Sequence, residues 1–146
     1  MRLVNKIIIH CTATEDGKDI RAKDIKAYHV NVKGWRNIGY HYVIDLDGTI
    51  EPGRPISQPG AHCLGQNAHS IGVAYVGGLK NGKPADTRTP AQKAALLKLV
   101  TKLVTLYRCE VHGHCEYAKK ACPCFDVQAE YGKIKSQVQK KWMDMV

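Results

Sequence analysis

With 146 residues, 44% of them hydrophobic and 24% charged, the chain has the size and composition of one globular domain with its own core. No apolar run approaches the ~20 residues that span a bilayer, and the start, MRLVNKIIIHCT, lacks the apolar length and small-residue cleavage site of a secretory signal. The formal charge of +9 favours anionic partners, yet no dense Lys/Arg block with interleaved aromatics marks a nucleic-acid binder.

The elements follow in chain order. Residues 3–10, LVNKIIIH, are a β-branched run that predicts a buried strand with His10 at its carboxyl end, where α/β folds gather their chemistry. Ile25, Tyr28 and Val32 are spaced as one face of a helix, which Gly34 ends as a left-handed cap. Val43, Ile44 and Leu46, then Asp47-Gly48, then Thr49 and Ile50 predict a hairpin. Residues 55–70 are loop-rich, and 71–78, IGVAYVGG, predict another buried strand. Thr89-Pro90-Ala91-Gln92 is a helix start, with Thr89 as N-cap, Pro90 in the first turn and Gln92 closing a capping box. Leu96, Leu99, Val100, Leu103 and Leu106 line one face of the helix that follows. A short strand around Val111 comes next. Residues 126–142 are helical again, with Tyr131, Ile134 and Val138 in register, and Lys140-Lys141 read as a solvated helix face. The order predicts an α/β fold over residues 1–146: one domain, with a central mixed β-sheet flanked by about three α-helices.

The chemistry concentrates in 112–127, HGHCEYAKKACPCFDV, which holds two histidines and three of the chain's six cysteines. Without a secretion signal, free thiols and metal ligation are favoured over three disulfides. A closed structural zinc site would need four ligands, and the Cys-x-Cys spacing of Cys122 and Cys124 is tighter than the usual two to four intervening residues. A redox Cys-x-x-Cys is absent. An open catalytic site, completed by His10, is the third reading. In an extended segment His112 and His114 share a face, so spacing leaves both as candidates. Cys11 and Cys63 read as small apolar fillers.

Five segments together carry a resemblance: IIIHCTAT at 7–14, GWRNIGYHYVIDLDGTIEPGRP at 34–55, GAHCLGQNAHSIGVAYVGG at 60–78, TPAQ at 89–92 and GHCEYAKKACPCFDV at 113–127. In this order they resemble the zinc-dependent N-acetylmuramoyl-L-alanine amidases of the phage lysozyme and peptidoglycan-recognition-protein superfamily, above all the small single-domain endolysins of bacteriophages. The resemblance implies one Zn2+ ion held by His10, His114 and Cys122, with Tyr40 and Lys120 as active-site residues. It implies hydrolysis of the amide between the lactyl group of N-acetylmuramic acid and the first L-alanine of the stem peptide. Cys124 departs from the family, which often has a small residue there.

Trp35, Arg54, His62 and Asn67 are candidate substrate contacts, Arg54 through a stem-peptide carboxylate. The expected partner is peptidoglycan or soluble muropeptides, with no nucleic acid, no membrane insertion and a monomeric state. The expected setting is synthesis in the cytoplasm, then action on the wall after holin-type release, or on muropeptides in the cytosol. The competing reading is a recognition module that binds wall fragments without cutting them.

Overall fold

The computed structural model describes residues 2–145. Its elements are β1 (Lys6–Cys11), β2 (Thr14–Glu15), α1 (Ala22–Asn31), β3 (Tyr42–Ile44), β4 (Ile50–Pro52), β5 (Ser70–Tyr75), β6 (Gly78–Lys80), β7 (Lys83–Pro84), α2 (Pro90–Tyr107), β8 (Glu110–Gly113), α3 (Val127–Tyr131) and α4 (Ile134–Asp144). Single 3-10 turns at Asn67–His69 and His114–Glu116 precede β5 and follow β8.

The main sheet has the order β4–β3–β5–β1–β8. β3, β5, β1 and β8 run parallel, and β4 folds back antiparallel on β3 through the predicted hairpin. Alternation along each strand feeds two cores. Ile7, Ile9 and Cys11 of β1 join Ile71, Val73 and Tyr75 of β5 under α2, α3 and α4. Val43 of β3 joins Ala22 and Ile25 of α1 on the opposite face, the face toward which Ile8 and His10 alternate. The fold is thus a mixed α/β sheet with three longer helices and the five-residue α3 packed on it. Among the described residues no helix is long and apolar enough to cross a membrane.

Four details differ from the sequence reading. In α1 the buried stripe is Ala22, Ile25 and His29, while Tyr28 and Val32 are 51% and 68% exposed. A histidine holds the inward position that the apolar pattern assigned to its neighbours. In α2 the 3.6-residue period carries the stripe through Val104, which leaves Leu106 64% exposed. The last helix is two, broken at Gly132-Lys133. The small sheet β2–β6–β7 was unforeseen, because strands of two or three residues leave no periodic signal.

The helix start at Thr89 does more than begin a helix. Thr89 Oγ1 accepts from the Gln92 N–H at 3.0 Å, and Gln92 Oε1 accepts from the Thr89 N–H at 2.9 Å. The Gln92 amide, wholly buried, also donates to the carbonyls of Ile44 and Val76 at 3.2 and 2.9 Å. One side chain therefore caps α2 and closes the carboxyl ends of β3 and β5. Replacing Gln92 by Leu leaves three backbone groups without this partner. We expect a loss on the order of 3 kcal/mol, read as a lower urea midpoint at unchanged slope, with Gln92→Glu, which keeps the cap acceptor but sets a buried carboxylate oxygen against both carbonyls, losing at least as much.

The hairpin carries a buried acid. Asp45 is 1% exposed; Arg21 Nη1 donates to its Oδ2 at 3.1 Å, and its Oδ1 has no partner among the described residues. Burial pushes its carboxyl up to about 7, the Glu51 carboxyl adds to the rise, and Arg21 opposes it. A carboxyl raised above its unfolded value of about 3.9 stabilises the fold while protonated and withdraws that stability as pH rises through about 7. Asp45→Asn should therefore gain on the parent chain between pH 5 and 8 in denaturant titrations; a constant difference across that range would show that Asp45 titrates normally.

Candidate metal centre and cleft

The parallel pairing of β1 with β8 brings two distant histidines together. Ile8 stands beside His112 and Ile9 beside Gly113. One step further, at the carboxyl ends of both strands, His10 and His114 meet with ring centroids 4.5 Å apart. Cys122 returns to the same point because the Cys115 N–H donates to its carbonyl at 2.8 Å, closing the loop between them. The Cys11 N–H donates to Cys122 Sγ at 3.2 Å. Tyr75 Oη donates to the Pro123 carbonyl at 2.6 Å, tying the loop to the sheet. Arg88, paired with Asp86 and Glu130, stacks on Phe125 with its guanidinium 3.4 Å from the ring centre and braces the next residues.

One ligand atom from each of His10, His114 and Cys122 lies within 4.8 Å of the others, a grouping able to hold a metal ion. The environment favours the forms that bind metals. The neighbouring Cys11 side chain, helped by the Cys11 N–H, holds the Cys122 thiol below its usual range against the opposing effect of burial. Cys11 is pushed up in return, by Cys122 and by burial, and stays a thiol. Burial holds His10 well below the usual histidine range, with His62, His114 and Lys120 adding to it; burial and Lys120 lower His114. At neutral pH the trio is two neutral imidazoles and a sulfur primed to ionise.

His112 is elsewhere. Its Nδ1 lies 2.8 Å from Glu116 and its Nε2 3.0 Å from Glu110, beside a separate groove with Gln128. β8 ends at Gly113 and a 3-10 turn begins at His114, so the rule that residues two apart share a face stops one residue short.

The trio forms the floor of a cleft of about 560 Å³ on the α1 face of the sheet. Tyr40 and Lys120 line it, as do Trp35, His29 and His62. The Tyr40 ring is 5.2 Å from that of His10, and burial pushes its phenol up, so it remains a donor. His29 packs against Trp35 at 4.5 Å and Tyr40 at 5.5 Å, while its Nδ1 accepts from the Gly39 N–H at 2.9 Å. Sequence reasoning passed over His29; the signal was its position four residues after Ile25, on the inward stripe.

Two proposed substrate contacts lie outside the cleft lining. Arg54 directs all three guanidinium nitrogens to the chain's own backbone, at the carbonyls of Ile38, Pro59 and Asn37 at 3.0, 2.9 and 3.4 Å. Asn67 Oδ1 accepts from the N–H groups of both His62 and Cys63 at 3.0 Å and shapes that turn. Of the four, Trp35 and His62 reach the cleft, and His62 does so from behind His10.

Comparison with known proteins agrees with this architecture. The N-acetylmuramoyl-L-alanine amidase family profile matches residues 1–125. The chain is 39% identical over 131 residues to the endolysin of Klebsiella phage KP32, covering 88% of this chain and 86% of that one. It is 40% identical over 129 residues to the endolysin of Escherichia phage T7, covering 87% and 85%. Among solved structures it is similar to the N-acetylmuramoyl-L-alanine amidase LysC of Clostridium intestinale, with a TM-score of 0.76 at 30% identity over 94% of this chain and 87% of that one. A profile match over most of the chain and identities near 40% with two endolysins lead to one conclusion: this chain belongs to the N-acetylmuramoyl-L-alanine amidase family.

Proposed function

We propose that the chain is a zinc amidase of peptidoglycan, its residues 1–146 forming one catalytic domain. It hydrolyses the amide between the lactyl group of N-acetylmuramic acid and the first L-alanine of the stem peptide. The observation that carries this reading is the convergence of His10, His114 and Cys122 on the floor of a cleft that Tyr40 and Lys120 also line. The donor set fits zinc. Bonds of about 2.1 Å to nitrogen and 2.3 Å to sulfur put two donors of one tetrahedral ion roughly 3.6 Å apart; Cys122 Sγ and His10 Nδ1 are 4.0 Å apart. Three protein ligands leave one position open, as catalytic sites do.

When bound, the ion supplies Lewis acidity to the scissile carbonyl and to a water nucleophile. The side chains do the rest. The Cys122 thiolate gives the centre one negative charge, which tempers that acidity. Lys120 brings a point cation to the cleft, suited to oppose the negative charge that develops on the carbonyl oxygen. Tyr40, kept protonated by burial, offers its phenol proton to the same oxygen. Trp35 and His29 form an aromatic wall along which a sugar face or peptide can lie. We place the enzyme's action at the cell wall, reached by release from the cytoplasm in which it is made.

Mass spectrometry of a purified muropeptide tests the bond. The expected products are an intact sugar and a peptide with a free N-terminal alanine, with cleavage abolished by a zinc chelator. Zinc binding and muropeptide affinity without cleavage would instead make this a recognition protein. His10→Ala and Cys122→Ser should lose both zinc and hydrolysis. Lys120→Ala should keep stoichiometric zinc while kcat falls about 10²–10³-fold. Normal turnover by Cys122→Ser would remove Cys122 from the ligand set.

A further inference from the structure

Behind His10 runs a chain of buried polar groups whose order can be read from one end. Ser70 Oγ lies 2.7 Å from the Gln66 carbonyl oxygen and 3.1 Å from His62 Nε2. His62 Nδ1 lies 2.8 Å from His10 Nε2. A carbonyl oxygen only accepts, so the single Ser70 hydroxyl proton lies on the Gln66 contact. Ser70 Oγ must then accept from His62, which places a proton on His62 Nε2. Both imidazoles are buried, at 1% and 8% exposure, with no carboxylate in contact, so each is neutral and carries one ring proton. His62 Nδ1 is therefore bare, and the 2.8 Å contact is filled by the proton of His10 Nε2. His10 has no second proton, and its Nδ1, the atom 4.0 Å from Cys122 Sγ, is a free lone pair. The opposite polarity would turn the Ser70 proton toward His62 and leave two oxygens facing each other at 2.7 Å with nothing between them.

We infer that His62 and Ser70 are positioning residues that fix the tautomer of His10, keeping its proton on Nε2 and its Nδ1 lone pair toward His114 and Cys122. The surroundings hold His62 in the one orientation that does this. A Cβ at Gly72 would come within 2.6 Å of the His62 ring, and one at Gly60 within 2.7 Å, so two glycines make the slot the ring occupies. Asn67 fixes the backbone at His62 and Cys63 from the other side. Ser70 is fully buried as the first residue of β5, so the acceptor for His62 is as fixed as the sheet. Asn67 thus contributes by holding a residue that holds a ligand. Polar groups behind a metal-binding histidine set its tautomer and orientation and are commonly worth 10–100-fold in metal affinity. The consequence for zinc rests on the reading of His10 as a ligand; the order of protons does not.

Long-range ¹H–¹⁵N spectra of the metal-free, histidine-labelled protein test the order without any substitution. His10 and His62 should both carry their proton on Nε2, and either ring found protonated on Nδ1 would overturn the inference. Zinc affinity, measured by competition with a chromogenic chelator, tests the consequence. His62→Leu fills the slot but cannot accept from His10, and Ser70→Ala removes the acceptor for His62; each should weaken zinc binding about 10–100-fold. His62→Asn, whose Oδ1 sits where Nδ1 was, should restore most of that affinity, which a loss of packing alone would not do. Wild-type affinity in folded His62→Leu and Ser70→Ala, checked by circular dichroism, would remove the positioning role. The expected tautomers in a wild-type protein that binds no zinc would uphold the relay and reject the metal reading of the site.

Discussion

The site depends on one constraint, the parallel register of β1 against β8. That register pairs Ile8 with His112 and Ile9 with Gly113, so the next step along both strands sets His10 beside His114. A shift by one residue would turn every β8 side chain to the other face and put Val111 and Gly113 where His112 now stands. The register is secured by burial rather than by the site. Val111 belongs to the core under α2 with Ile7 and Ile9, and that core accepts β8 in one phase only. The candidate metal trio therefore inherits its geometry from hydrophobic packing on the reverse face of the same sheet. Such packing holds ligands to the sub-ångström tolerance a site needs better than a loop could.

The three proposed ligands are held by different means. His10 is buried at the end of a strand flanked on both sides, with a hydrogen-bonded imidazole behind it. Cys122 sits on a loop whose freedom is limited by Tyr75 from the sheet and by Arg88 through Phe125. His114 is half-buried at the start of a 3-10 turn, and its ring makes no hydrogen bond among the described residues. The trio is thus anchored most firmly at His10, against the sheet.

How much of this could be read from the sequence follows from which forces are local. The capping box at Thr89–Gln92 was legible because all its partners lie within four residues, and the hairpin because Asp47-Gly48 dictates its own turn. The second role of Gln92, closing β3 and β5, was not, since its partners lie 48 and 16 residues away. The choice between His112 and His114 turned on where β8 stops, and a boundary of one residue is beyond any periodicity. Motif resemblance names His114 and Cys122 where spacing alone leaves alternatives, and the structure brings both beside His10. Arg54 and Asn67 are candidate substrate contacts by residue type, since both recognise polar ligands, yet neither lines the cleft. The fold uses them on its own backbone, and only the three-dimensional arrangement of carbonyls and amides around them reveals that.

The distribution of charge separates two tasks that the net value of +9 merges. Segments 90–108 and 133–144 carry eight of the 22 Lys and Arg residues and one of the 13 acids, Asp144, and so account for seven of the nine net charges. They are α2 and α4 with their flanking residues, packed on the sheet face away from α1 and the cleft. The cleft itself draws on two cations, Lys33 and Lys120, and Lys33 is engaged over the Trp35 ring. Charge on the reverse face cannot orient a scissile amide across the sheet, and within ionic surroundings its reach is about one Debye length, roughly 8 Å. What it can do is raise the concentration of the whole molecule near an anionic polymer. Orientation then falls to the short-range groups of the cleft, where Lys120 lines the same floor as the proposed ligands.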